Sequence, residues 1–129
     1  MQNDRNIVGY QSGGAFWASN TNISDITLKK DITTLDNALD KILQLRGVNF
    51  FWKDAWRGEG SQVGLVAQEV EKVFPEVVST FDKSGLKGVQ YDRLVAPLIE
   101  AVKEQQKEIS EQGALIKKLQ EEIDILKTK

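Results

Sequence analysis

From Val95 onward, positions at alternating spacings of three and four are apolar at all but two places: Val95, Leu98, Val102, Gln105, Ile109, Gln112, Ile116, Leu119, Ile123 and Leu126. Read as heptads, every a position is Val or Ile, the d positions are Leu, Gln, Gln, Leu and Leu, and Glu and Lys fill most of the rest. So narrow a seam predicts a long helix pairing with other helices as a coiled coil, since a helix lying on its own core shows a wider apolar face. β-branched a positions with Leu at d favour two strands, whereas Gln105 and Gln112 trade stability for register or oligomer choice. Asp92 is a natural N-cap, which puts Pro97 slightly late for a first turn, and Gly113 costs a helix interior about 1 kcal/mol against Ala.

The pattern changes upstream. Leu35, Leu39, Ile42 and Leu45, with Ala38 on the same side, predict a helix capped by Thr33 or Thr34 and ended by Gly47. Val48–Lys53 and Gln62–Val66 read as strands flanking a loop that contains Gly58 and Gly60. Residues 67–74 predict a short amphipathic helix with Val70, Val73 and Phe74 inward, stopping before Pro75. Val77–Phe81 and Leu86–Tyr91 flank Asp82-Lys83-Ser84-Gly85, a hairpin turn. At the N-terminus, 7–10 and 15–18 read as short strands around Gly13-Gly14, in a segment too small to form its own core. The expected fold class is therefore α+β: a small mixed body followed by a coiled-coil helix.

Composition narrows the chemistry. A net charge of −2 without a basic block gives no support to nucleic-acid binding, and no apolar run approaches a membrane span. The polar N-terminus has no signal-peptide core. With no Cys and no His, disulfides, thiolate metal sites and the commonest metal ligand are all missing, and no cofactor or metal is expected. Glu69, Glu71 and Glu76 read as solvated surface, because Glu69 and Glu71 fall on different helix faces. The nucleophile–base pair that remains is Ser24 with Lys29. Five residues apart, the two side chains diverge on a straight helix and on a strand alike, so they meet only if the chain bends between them. Asp25 or Thr27 capping a short turn supplies such a bend.

The motifs SDITLKKDI (24–32), LDNALDKILQL (35–45), FFWK (50–53), GLVAQEVEKVFPEVV (64–78) and GVQYDRLVAPLIEAVKEQQKEI (88–109), in this order and spacing, give the chain a further reading. It resembles the intramolecular chaperone domain of phage tailspikes and tail fibres, the S74 peptidase family, from about Ser24 to the end. The resemblance implies a homotrimer rather than the dimer favoured by the a/d identities. It also implies a folding client in the preceding fibre segment of the same polypeptide, and residence in the host cytoplasm during phage assembly. Such domains cut themselves free at the peptide bond before the motif serine. Carried onto this chain, the scissile bond is Ile23–Ser24, with Ser24 as nucleophile, Lys29 as general base and Asp25 as a supporting cap. The implied organisation is a client remnant over 1–23, a chaperone body over 24–91 and a trimerisation helix over 92–129.

Lys29 must be neutral to accept a proton, and an ordinary lysine, near a pKa of about 10.4, is charged at neutral pH. Its burial on trimer formation would tie cleavage to completed assembly. Two other readings stand beside this one. One is a trimerisation cap that stays attached without chemistry. The other is a binding module using Trp52, Trp56 and the Gly58–Gly60 loop, although tryptophans on a strand and loop more often serve packing.

Overall fold

The computed structural model describes residues 8–12, 14–18, 21–22 and 24–129. Two compact units emerge, Met1–Thr34 and Leu35–Lys129. Ile7 of the first expected N-terminal strand, and Gly13 between the two strands, lie outside the described residues.

In the first unit, β1 (Val8–Gln11), β2 (Gly14–Ala18) and β3 (Thr21–Asn22) form an antiparallel meander in that order. Gly9 pairs with Trp17 and Gln11 with Gly14, with a register irregularity between Gly9 and Tyr10. The two-residue β3, pairing Trp17 with Asn22, is too short to leave a hydrophobic period in the sequence. A single 3₁₀ turn, Ile26–Leu28, follows it.

The second unit begins with α1 (Ala38–Leu43), later than the leucine spacing predicts. Thr33 and Thr34 do not cap it. Asn37 precedes the helix in the left-handed region (φ 51°) and makes no side-chain cap bond. The helix start is held from elsewhere: Glu104 accepts the backbone N–H of Ala38 (3.1 Å) and of Leu39 (2.7 Å). A carboxylate there satisfies two orphan amides and lies at the positive end of the helix dipole.

β4 (Val48–Phe50) and β5 (Gln62–Gly64) form an antiparallel pair, Val48 opposite Gly64 and Phe50 opposite Gln62. Both strands are shorter than predicted. After Gly64 the chain leaves the ladder, because Leu65 donates its N–H to the Tyr91 hydroxyl (2.8 Å) instead of to a strand. At the other end, Phe51 and Trp52 would need Ser61 and Gly60 as partners, and Gly60, at φ 79°, turns the chain out of the ladder. Glycine is required at 64, since a Cβ would lie 2.8 Å from the Tyr91 hydroxyl oxygen.

α2 (Ala67–Glu71) runs into a turn at Val73 and Phe74, and Pro75–Val77 forms a 3₁₀ turn where the proline stops the helix. β6 (Val78–Phe81) and β7 (Leu86–Val89) make the expected hairpin, Val78 opposite Val89, with Gly85 at φ 70° in the turn. The core is Val70, Phe74, Val77 and Leu94, packed with Ile42, Leu45, Leu65, Val73, Val78 and Val89. This matches the inward positions expected of residues 67–74.

α3 (Val95–Lys127) is a single 33-residue helix. It grows out of a 3₁₀ turn, Tyr91–Leu94, so Leu94 occupies the cap position and Asp92 lies within the turn. Pro97 is the third helical residue, where the missing N–H has no intrahelical acceptor to lose. Its lateness, read from an Asp92 cap, disappears once the helix starts at Val95. Gly113 is an interior helical glycine with open space where a Cβ would project. Ala38 and Ala101 are both buried, and their small side chains let α1 lie close against α3.

Candidate functional site

Ser24 and Lys29 are brought together by the 3₁₀ turn. Asp25, extended at φ −67° and ψ 136°, is its N-cap: the carboxylate accepts the Thr27 N–H (2.8 Å) and the Thr27 hydroxyl (2.5 Å). Leu28 N–H donates to the Asp25 carbonyl (3.2 Å) and Lys29 N–H to the Ile26 carbonyl (3.1 Å), closing the turn. The turn reverses the direction that a helix or strand would give to residue 29. Lys29 Nζ lies 2.6 Å from Ser24 Oγ, within strong hydrogen-bond range. In its charged form the amine donates to the hydroxyl; once neutral, the same contact lets it accept the hydroxyl proton.

The Asp25 carboxyl is held below the usual carboxylate range. The Thr27 hydroxyl bond is the largest cause, then the Thr27 amide, with Lys29 adding a smaller favourable charge against a desolvation that acts the other way. Asp25 is therefore an ionised acceptor that fixes the turn, the role that short polar side chains have at helix starts. Two residues beyond Lys29, Asp31 takes a left-handed conformation (φ 52°), turning the chain again.

The segment is open. Ser24 and Lys29 are exposed within the single chain, and the apolar side chains around them are equally uncovered: Ile26 72 %, Leu28 72 % and Ile32 63 % exposed. Ile23, whose carbonyl the serine would attack, lies outside the described residues.

The ten seam positions occupy one helix, and all are exposed along it, including the carboxamides of Gln105 and Gln112. The other candidates have ordinary partners. Glu69 pairs with Arg46 (2.8 Å) and Glu71 with Lys87 (2.8 Å). No group of three or more potential metal ligands exists among the described residues. Trp52 meets Phe50 edge-on (5.0 Å between centroids), and Arg57 covers the Trp56 ring at 4.3 Å. No described helix is long and apolar enough to cross a membrane.

Glu104 and Tyr91, the two side chains that tie distant backbone amides into the second unit, carry no local sequence signal, because each acts across a gap visible only in the fold.

Residues 24–79 match the family model Peptidase_S74, described as chaperone of endosialidase. The chain is 34 % identical over 123 residues to the long tail fiber protein Gp37 of Salmonella phage S16, covering 89 % of this chain and 16 % of that protein. It is 35 % identical over 112 residues to the Gp37 proteins of Enterobacteria phages K3 and T2, covering 78 % of this chain and 9 % and 8 % of theirs. The chain thus spans less than a fifth of the length of these relatives.

Proposed function

We propose that this chain, whose residues 24–79 belong to the Peptidase_S74 family, chaperone of endosialidase, is the assembly module of a phage tail fibre and severs itself from its client at Ile23–Ser24. The contact that carries this reading is Lys29 Nζ to Ser24 Oγ at 2.6 Å, formed by the Asp25-capped turn. Residues 1–23 are the client remnant, 24–91 the chaperone body and 92–129 the trimerisation helix. The cut falls between β3 and the 3₁₀ turn.

The reaction runs in two stages. Lys29 Nζ, neutral when desolvated, takes the Ser24 hydroxyl proton as Oγ attacks the Ile23 carbonyl carbon. The Ile23–Ser24 C–N bond then breaks, and Lys29 returns the proton to the leaving amine of Ser24. The product is an ester joining the Ile23 acyl group to Ser24 Oγ. Water hydrolyses this ester to a carboxylate at Ile23, a free hydroxyl and a free N-terminal amine at Ser24.

Three chains assemble through the α3 seam. The run of β-branched a residues at Val95, Val102, Ile109, Ile116 and Ile123 with Leu98, Leu119 and Leu126 at d, every one exposed in the single chain, supports assembly through this face; the number three rests on the family resemblance, since these a/d identities alone favour two strands. In the same heptads Glu122 falls at g and Lys127 at the following e, the positions that form ion pairs between parallel, in-register helices. In this reading cleavage is coupled to assembly, because loss of solvent around an amine lowers a lysine's affinity for its proton.

The exposure of Lys29 in the single chain favours a second reading, a trimerisation cap that stays attached to its fibre. Intact-mass measurement of the purified protein separates the two. Two masses splitting at 23/24 in the wild type, with one mass in Ser24→Ala, support self-cleavage. A single wild-type mass from the assembled trimer supports the cap.

A further inference from the structure

The α3 seam is not the whole of the surface that the fold prepares for a second copy. In the heptad register set by Val95 at a, the residues against which α1 lies are Ala101 at g and Glu104 at c, with buried Leu94 and Pro97 at the same two positions one turn or more earlier. The g/c flank of α3 is thus occupied by its own chain while a, d and e are left open. Ile99, at e, is 51 % exposed.

α1 runs antiparallel to α3. Its first amides sit on Glu104, and its last turn, through Ile42 with Leu45 just beyond, packs into the core that contains Leu94. At about 1.5 Å per residue on both helices, the five steps from Ala38 to Leu43 descend by the same length as five steps along α3, bringing Leu43 near the height of residue 99. On α1, Lys41 reaches over the Phe74 ring (5.7 Å) and so marks the flank facing the body. Successive residues turn by about 100°, which puts Leu39 and Leu43 on the flank of α1 away from Lys41. Leu43 is 71 % exposed there.

In a parallel in-register trimer the g side of each helix faces the e side of the next. We infer that α1 of each chain closes over the neighbouring helix, with Leu43 packing on Ile99 of a second copy of this chain. The contact rests on the trimer proposed above and makes the N-terminal heptads a wider interface than the a/d seam. An apolar residue at e and an exposed leucine on α1 then have a common explanation.

The chain has no cysteine, so a disulfide reports the contact without background. In the Leu43→Cys/Ile99→Cys double variant, mild oxidation is expected to link each chain to both neighbours and give a covalent trimer on a non-reducing gel. Leu43→Cys/Glu100→Cys, with the second thiol turned to f, is expected to remain monomeric on the same gel. Sedimentation of the unoxidised double variant is run in parallel. A sedimenting trimer that yields no interchain disulfide, or an intrachain one, overturns the Leu43–Ile99 contact and leaves the trimer standing. A sedimenting monomer overturns both.

Discussion

Glu104, on the long helix, accepts the backbone N–H of Leu39, 65 residues earlier in the chain, at 2.7 Å and so caps the helix that starts at Ala38. The same carboxylate takes the Ala38 amide through its other oxygen. Asn37, the residue in the cap position, contributes no side-chain bond. Glu104→Ala leaves both amides without their acceptor and is expected to lower stability by about 1–2 kcal/mol, as loss of a helix cap does. Glu104→Gln keeps an acceptor but loses the charge at the helix start, and should fall between the two. Chemical denaturation of the three proteins checks the order; an alanine variant as stable as wild type contradicts it.

A second prediction concerns close packing at Gly64. A Cβ there meets the Tyr91 hydroxyl oxygen at 2.8 Å and Phe50 Cε1 at 3.3 Å. Tyr91 can move away only by releasing the Leu65 amide. Gly64→Ala is expected to cost about 1–3 kcal/mol, the range for overpacking. In a Tyr91→Phe background the same substitution should cost less, and a double-mutant cycle measures the difference. Equal costs in the two backgrounds would remove the hydroxyl from the explanation.

These two contacts show where the sequence was readable and where it was not. The seam of α3, the hairpin around Gly85 and the inward Val70 and Phe74 follow from periodicity and turn chemistry, which are local. The bend between Ser24 and Lys29 is also local: Asp25 and Thr27 close it within two residues. The start of α1 is not local, because Glu104 supplies the cap that Thr33 or Thr34 was expected to give. The end of β5 depends on a tyrosine hydroxyl 26 residues beyond Leu65. β3 carries no period at two residues long. The candidate dyad was therefore more legible than the scaffold around it.

Asp25 carries a pH signature. Its folded pKa lies below the ordinary carboxylate value of about 3.9, so its contribution to the turn is present above that value and is lost as pH falls through the lower, folded pKa. The Thr27 amide resonance followed by NMR should move with a midpoint below that of an unstructured aspartate. Asp25→Asn should abolish the transition. A Thr27 midpoint at or above the ordinary value contradicts the cap.

Assembly and cleavage are expected to be coupled. Glutamates at two seam positions, Ile109→Glu with Ile116→Glu, bury like charges in any parallel coiled coil and should give a monomer by sedimentation. The helical body should persist, because both positions are exposed on the single chain. That monomer should remain uncut when examined by intact mass. Cleavage by the monomer at the wild-type rate contradicts the coupling.

The central claim is that Ser24 Oγ takes the Ile23 acyl group, and the ester is the species to trap. Mass spectrometry of the trimer incubated with hydroxylamine should show the fragment ending at Ile23 as its hydroxamate, together with a fragment beginning Ser24-Asp25-Ile26. Ser24→Ala and Lys29→Ala should each stay as one intact mass under the same conditions. A wild-type trimer that stays intact, or two fragments from Ser24→Ala, would contradict the account.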